Sequence, residues 1–195
     1  NGTFGVLGAY DKGAKIKIVS ASFTGVDLFW YVKADSPYKK FQDLAGKKVG
    51  FSSPGSSTNL ILLRMAELAG VKLDAVPIGG IPDSYTAVMT GQIAAGWSVP
   101  PQRIEEIRKG TLRLIARGAD FPDLQGITFR VNIANADYLK KNPAVARAFF
   151  RAYQRALDYI YDKQSSVIPE FAKLNKTSPE IAEESLLQVD AVVGI

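Results

Sequence analysis

The 195 residues include no cysteine and no histidine, and only two methionines and two tryptophans. Each absence removes a class of chemistry. Without cysteine there are no disulfides and no thiol nucleophile, and without histidine there is no imidazole general base. Together they remove the Cys/His zinc sites, so no metal centre is expected. Disulfides therefore say nothing about redox compartment, although their absence is compatible with an oxidising one. No apolar run approaches the ~18–20 residues needed to cross a bilayer. Asn1 begins inside what reads as folded sequence, with no charged and apolar leader. Val192-Val193-Gly194-Ile195 stops without a natural ending, so both ends read as cuts, and no signal peptide stands within these residues.

What remains is ordinary globular material. Hydrophobic residues make up 47% and charged residues 22%, which supplies ample core and excludes disordered and fibrous classes. The length suits one domain or two small ones. A net charge of +5 raises the question of nucleic acid. The basic residues are scattered, however, as in Lys39-Lys40, Lys47-Lys48 and Lys140-Lys141. Arg147, Arg151 and Arg155 recur every four residues, but Asp158 and Asp162 interrupt their continuation. This reads as a solvated helix face, and no nucleic-acid partner is expected.

Residues 15–22 and 28–32 read as strands, the second rich in aromatics, with one face buried in either function. Trp30 reads as core. A β/α rhythm follows: strands at 48–51, 73–78, 93–99 and 112–116 alternate with helices at 58–69, 82–90 and 102–109. This alternation predicts a parallel sheet covered on both faces. After a strand at 128–134 the chain turns helical, with Asn142-Pro143 and Ser178-Pro179 as starts. The spacing of Val145, Phe149, Tyr153, Ala156 and Ile160 predicts a buried stripe on the first of these helices.

In open α/β sheets, ligands bind beyond the carboxyl ends of the strands. Three loops qualify: 52–58, 79–84 and 97–102. In the first, Gly55 permits a tight turn and Ser56, Ser57 and Thr58 crowd a helix start. Free N–H groups and the positive dipole end make such a start an anion site. A polar turn with one capping serine explains the same residues equally well. The loop lacks the Gly-Lys-Ser/Thr ending of a nucleotide P-loop. Gly80 lies in the Gly79-Gly80 turn of the second loop, while Trp97 and Ser98 open the third and offer a stacking surface and a hydroxyl. Trp97 as core is the competing reading. The carboxylate pairs Glu105-Glu106 and Glu183-Glu184 are adjacent on helices and do not face each other. No serine-elbow pattern stands in a convincing context, so the chemistry points to binding without turnover and to no cofactor.

Several stretches resemble the nitrate/sulfonate/bicarbonate solute-binding proteins (SsuA/TauA-like, NMT1-like) of ABC importers. Phe41-Gln42-Asp43-Leu44-Ala45-Gly46-Lys47-Lys48-Val49-Gly50-Phe51 followed by Pro54-Gly55-Ser56-Ser57 is similar to their strand and helix start. Ala87-Val88-Met89-Thr90-Gly91-Gln92-Ile93-Ala94-Ala95-Gly96-Trp97 resembles a second landmark. Lys12-Gly13-Ala14-Lys15-Ile16-Lys17-Ile18-Val19 and Asn135-Ala136-Asp137-Tyr138-Leu139 resemble two more. The likeness covers about residues 10–175. Ala94 stands where many members carry aspartate, so their exact ligand does not carry over.

The resemblance implies a type II periplasmic-binding-protein fold, with two α/β lobes of mainly parallel sheet flanked by helices and ligand between them. One lobe would comprise 28–116. The other would comprise 1–27 and 117–195, lacking the β/α units that normally precede residue 1, with hinges near 24–28 and 117–127. It further implies that Ser56, Ser57 and Thr58 receive an anionic group and that Trp97 faces the cleft. The expected protein is an extracytoplasmic or periplasmic, monomeric solute-binding component. It would capture a small anionic or planar organic solute and deliver it to the membrane permease. Two other classes compete: a ligand-sensing domain of a regulator or receptor, and a biosynthetic enzyme on the same scaffold. Fungal thiamine-pyrimidine synthases of this family use histidine and a cysteine-rich motif, and both residue types are missing here.

Overall fold

The computed structural model describes residues 1–162 and 164–193. Helix α1 (Thr3–Asp11) leads into β1 (Ile16–Thr24) and β2 (Phe29–Lys33), and a single 3-10 turn (Phe41–Leu44) precedes β3 (Lys48–Phe51). Next come α2 (Ser57–Leu68), β4 (Asp74–Pro77), α3 (Ile81–Met89), β5 (Gly96–Ser98), α4 (Ile104–Arg108) and β6 (Leu112–Arg117). A short helix α5 (Pro122–Gln125) precedes β7 (Thr128–Asn135), and α6 (Ala136–Lys141), α7 (Pro143–Asp162), α8 (Gln164–Asn175) and α9 (Pro179–Val193) follow.

The alternation of strand and helix was expected to yield a parallel sheet, and the result is mixed. β3 and β4 pair in parallel, while β2 lies antiparallel between β5 and β6. A parallel bridge between Val49 and Ala95 links the two groups into the order β4-β3-β5-β2-β6. The connections explain the direction. Parallel neighbours need a crossover helix, and α2, α3 and α4 supply one after β3, β4 and β5. β2 is followed only by a 3-10 turn, and it runs the other way.

β2 was expected to bury one face, yet Phe29, Trp30, Tyr31 and Val32 are all at most 2% exposed. A central strand with helices on both sides has no solvent face. Trp30 is core as expected, and its indole N–H donates to the Gly50 carbonyl at 3.0 Å. Two apolar clusters fill the two sides of the sheet. One holds Trp30, Leu44, Val49, Ile61 and Met65, and the other holds Phe29, Tyr31, Val88, Ile104 and Ile181.

β1 and β7 form a separate antiparallel ribbon with register shifts along it. Here the expected burial of α7 fails. Val145 is 51% exposed, Phe149 50% and Ile160 37%, and Ala156 is also exposed, with only Tyr153 half-buried. The stripe has the right spacing, but α6 and α8, which contact α7, leave these residues largely exposed. Helix α1 went unpredicted, because Gly5 and Gly8 dilute its pattern and each glycine costs a helix about 1 kcal/mol.

Candidate functional site

A cleft of about 440 Å³ opens where the N-terminus of α2 meets the start of α1, the end of β5 and the middle of β7. Its apolar wall comes from Val6, Leu28, Phe129 and Ile133. Polar groups come from Ser52, Ser56, Ser57, Thr58, Trp97 and Arg130.

The loop between β3 and α2 is organised by its own hydroxyls. Ser52 Oγ donates to Ser56 Oγ at 3.0 Å, Ser56 Oγ lies 2.8 Å from Thr58 Oγ1, and Thr58 Oγ1 lies 2.7 Å from Ser52 Oγ. Three hydroxyl protons serve three contacts, so the ring consumes all its own donors. Ser56 also caps α2 by accepting from the Asn59 N–H at 3.2 Å, and Thr58 accepts from the Ser52 N–H at 2.9 Å. Ser56 and Thr58 therefore shape the loop more than they offer protons.

The unused donors are elsewhere. Ser57 Oγ is buried without a hydrogen-bond partner, and so is the indole Nε1 of Trp97. Both residues line the cleft. A buried donor left unmade costs about 1–3 kcal/mol, so each of the two carries a penalty that a bound acceptor would relieve. The N–H groups of Ser57 and Thr58 stand in the first turn of α2, where no intrahelical acceptor exists.

Gly2, the residue before α1, packs directly on this point: a Cβ there would sit 2.1 Å from Ser57 Oγ. Two helix N-termini thus converge on one cleft, and their like-signed dipole ends favour negative charge between them. Arg130 adds a guanidinium at the cleft wall. Its Nε and Nη2 hold the Asp27 carboxylate at 2.8 Å, which leaves Nη1 outside that fork.

Trp97 is set by its backbone. Its N–H donates to Ser84 Oγ at 2.8 Å, and the same oxygen accepts from the Tyr31 hydroxyl at 3.2 Å. Ser84 is fully buried. Burial pushes the Tyr31 phenol above its ordinary pKa, and the bond to Ser84 offsets part of that rise.

The structure therefore brings Ser56, Ser57, Thr58 and Trp97 together and leaves the other two named residues outside the cleft. Ser98 is fully buried and donates to the Gln102 carbonyl at 3.1 Å. Gly80 heads α3, and its N–H is taken by the Asp83 carboxylate at 2.9 Å. Sequence reasoning named the 52–58 loop without singling out Ser52, and it missed Arg130 and the start of α1. A charged residue inside the apolar alternation of β7 was the available signal for Arg130; for Gly2 there was none.

The chain matches the family model described as NMT1/THI5 like over residues 3–166. It belongs to that family. Among curated relatives, a 4-amino-5-hydroxymethyl-2-methylpyrimidine phosphate synthase of Saccharomyces cerevisiae is 25% identical over 165 residues, covering 73% of this chain and 44% of the relative. A candidate binding protein of Brucella abortus is 29% identical over 174 residues, covering 85% of this chain and 53% of the relative. The chain thus spans about half the length of the curated relatives it matches. Among solved structures, the alkanesulfonate-binding protein SsuA from Xanthomonas axonopodis pv. citri, bound to MOPS, superposes with a TM-score of 0.81 at 21% identity. That match covers 95% of this chain and 64% of SsuA. The family member described here has the type II periplasmic-binding-protein fold.

Proposed function

We propose that this family member is the solute-capturing part of an extracytoplasmic binding protein serving an ABC importer, and that it performs no turnover. The observation that carries the reading is the pair of partnerless buried donors, Ser57 Oγ and Trp97 Nε1, on one cleft at the N-termini of α1 and α2. An acceptor-rich anionic group with an apolar or planar body fits that wall: the donors hold the head, and Leu28, Phe129 and the Trp97 ring cover the body. Arg130 contributes charge at the rim.

The β4-β3-β5-β2-β6 sheet and its helices, 28–116, act as one lobe, and 1–27 with 117–195 belong to the other. The segments near 24–28 and 117–127 serve as hinges, and solute stabilises the closed form by contacting both sides. Delivery to a membrane permease as a monomer completes the role. Several family relatives are named as synthases. Against turnover stands the absence of histidine and cysteine from residues 1–195, so none of the groups lining this cleft is an imidazole or a thiol.

The test is a thermal-shift panel on the full gene product with sulfonates, carboxylates, phosphates, pyrimidines and inorganic anions. A saturable stabilisation of about 2–4 kcal/mol, as mass action gives at roughly 100–1,000 times Kd, supports capture and names the class. No shift with any anion, or chemical conversion of a bound compound, overturns it.

A further inference from the structure

Positive charge on the cleft adds up to less than its residues suggest. Among the described residues, Arg130 is the single charged side chain that lines it. That guanidinium is already matched. Arg130 Nε donates to Asp27 Oδ2 and Nη2 donates to Oδ1, both at 2.8 Å, and the two side chains are only 32% and 18% exposed. A two-bonded fork is the strongest arrangement open to a guanidinium and a carboxylate, and partial burial limits its screening by salt.

The backbone on either side places Asp27 for this contact. It lies between β1 and β2, in one of the segments that join the ribbon to the sheet. The Gly25 N–H donates to the Ile127 carbonyl at 2.8 Å, and the Leu28 carbonyl accepts from the Gly118 N–H at 2.9 Å. Val26 and Leu28 are at most 2% exposed, and Val26 packs so closely on Gly118 that a Cβ there would stand 2.3 Å from its Cγ1. The carboxylate between these anchors is held in position.

With Arg130 cancelled, the positive potential left in the cleft is that of the two helix starts. Each is equivalent to roughly +0.5 of an elementary charge, so together they supply about +1. The other donors, Ser57 Oγ and Trp97 Nε1, are neutral. Arg130 Nη1 adds a donor but no net charge. A head group with one negative charge is balanced by this set. A second negative charge would lose its hydration with no cation to replace it, the penalty of any unpaired buried charge.

We propose that Asp27, which does not itself line the cleft, sets the charge number of the head group accepted there: it cancels Arg130, so single anions enter and double anions are rejected. This role rests on the anion-capture reading above and adds a specificity-determining residue to it.

Sulfonates and doubly ionised phosphonates are both tetrahedral with three oxygens, and they differ by one charge. The test is titration calorimetry on the full gene product, at a pH where phosphonates are doubly ionised. Two matched pairs serve as probes: butanesulfonate with butylphosphonate, and benzenesulfonate with phenylphosphonate. Wherever either member of a pair binds, the sulfonate should bind at least about tenfold tighter, as one uncompensated charge at a few ångströms requires. Asp27→Asn keeps the shape and removes the charge, so it should narrow that ratio by at least about tenfold, chiefly through tighter phosphonate binding. A phosphonate bound as tightly as its sulfonate by the parent protein overturns the inference, and so does an unchanged ratio in Asp27→Asn. If Asp27→Asn fails to fold, Asp27→Asn combined with Arg130→Gln removes both charges at once. Both affinities should then fall, with their ratio within about threefold of the parent's. A ratio that moves further in either direction means that Arg130 acts as a net charge in the parent, and it overturns the inference. Binding by none of the four probes overturns it too. Only a thermal-shift panel silent for every anion overturns the capture reading beneath it.

Discussion

Ser57 and Trp97 differ from the residues around them in having donors with nowhere to go. Ser57→Ala should weaken solute binding about 5–13-fold, and Trp97→Phe by a similar factor, because each removes one hydrogen bond of roughly 1–1.5 kcal/mol to a buried acceptor. Ser57→Asp should abolish anion binding by placing like charge at the helix start. Titration calorimetry reads all three, and ligand-free Ser57→Ala should unfold no earlier than the parent protein, because it loses a donor that has no partner. Equal affinity in Ser57→Ala and the parent protein would remove the helix start from the site. Tyr31 makes a prediction in pH. Its pKa is raised in the folded protein, so above about pH 10 an unfolded chain releases a proton that the folded chain keeps. Stability is therefore unaffected below that pH and falls as pH rises beyond it. Tyr31→Phe should flatten this alkaline decline in urea-denaturation midpoints, while losing about 1 kcal/mol at neutral pH with the bond to Ser84.

At the scale of elements, the loop before α2 combines two functions in one set of hydroxyls. Ser56→Ala removes the cap of α2 and one corner of the hydroxyl ring together. It should cost about 1–2 kcal/mol in chemical denaturation, and solute affinity should fall because Ser57 is no longer held in place. Unchanged stability would mean that neither the cap nor the ring holds the loop. Most of this element was legible in the sequence. Gly55 before a hydroxyl-rich helix start, with Ile61 and Met65 at core spacing, predicts both loop and helix. The sequence did not reveal which hydroxyls are consumed internally, since Ser56, Ser57 and Thr58 look alike until the helix phase turns Ser57 toward Gly2. α7 shows the converse. Its stripe was read correctly as apolar, but periodicity records only that a face wants burial, not whether its partner is present.

At the scale of the molecule, the cleft lies where the five-strand sheet meets the β1–β7 ribbon, across the segments that join them. If those segments flex, solute should shift the full gene product toward a more compact form, seen in small-angle scattering as a smaller radius of gyration with saturating solute. A radius unaltered by a solute that demonstrably binds would mean that the cleft is rigid.

The sequence by itself determined the β/α rhythm, the buried Trp30, the capped helix start, and the absence of thiol and imidazole groups from residues 1–195. All are properties of residue type and short-range spacing. The tertiary structure alone decided that β2 runs against its neighbours, that Gly80 and Ser98 fall outside the cleft, and that Arg130 and Gly2 reach it. The placing of β2, Arg130 and Gly2 depends on residues more than fifty positions apart: Gly2 meets Ser57, and Asp27 meets Arg130. Which distant segments touch is set by how the sheets close, and local pattern carries no record of it.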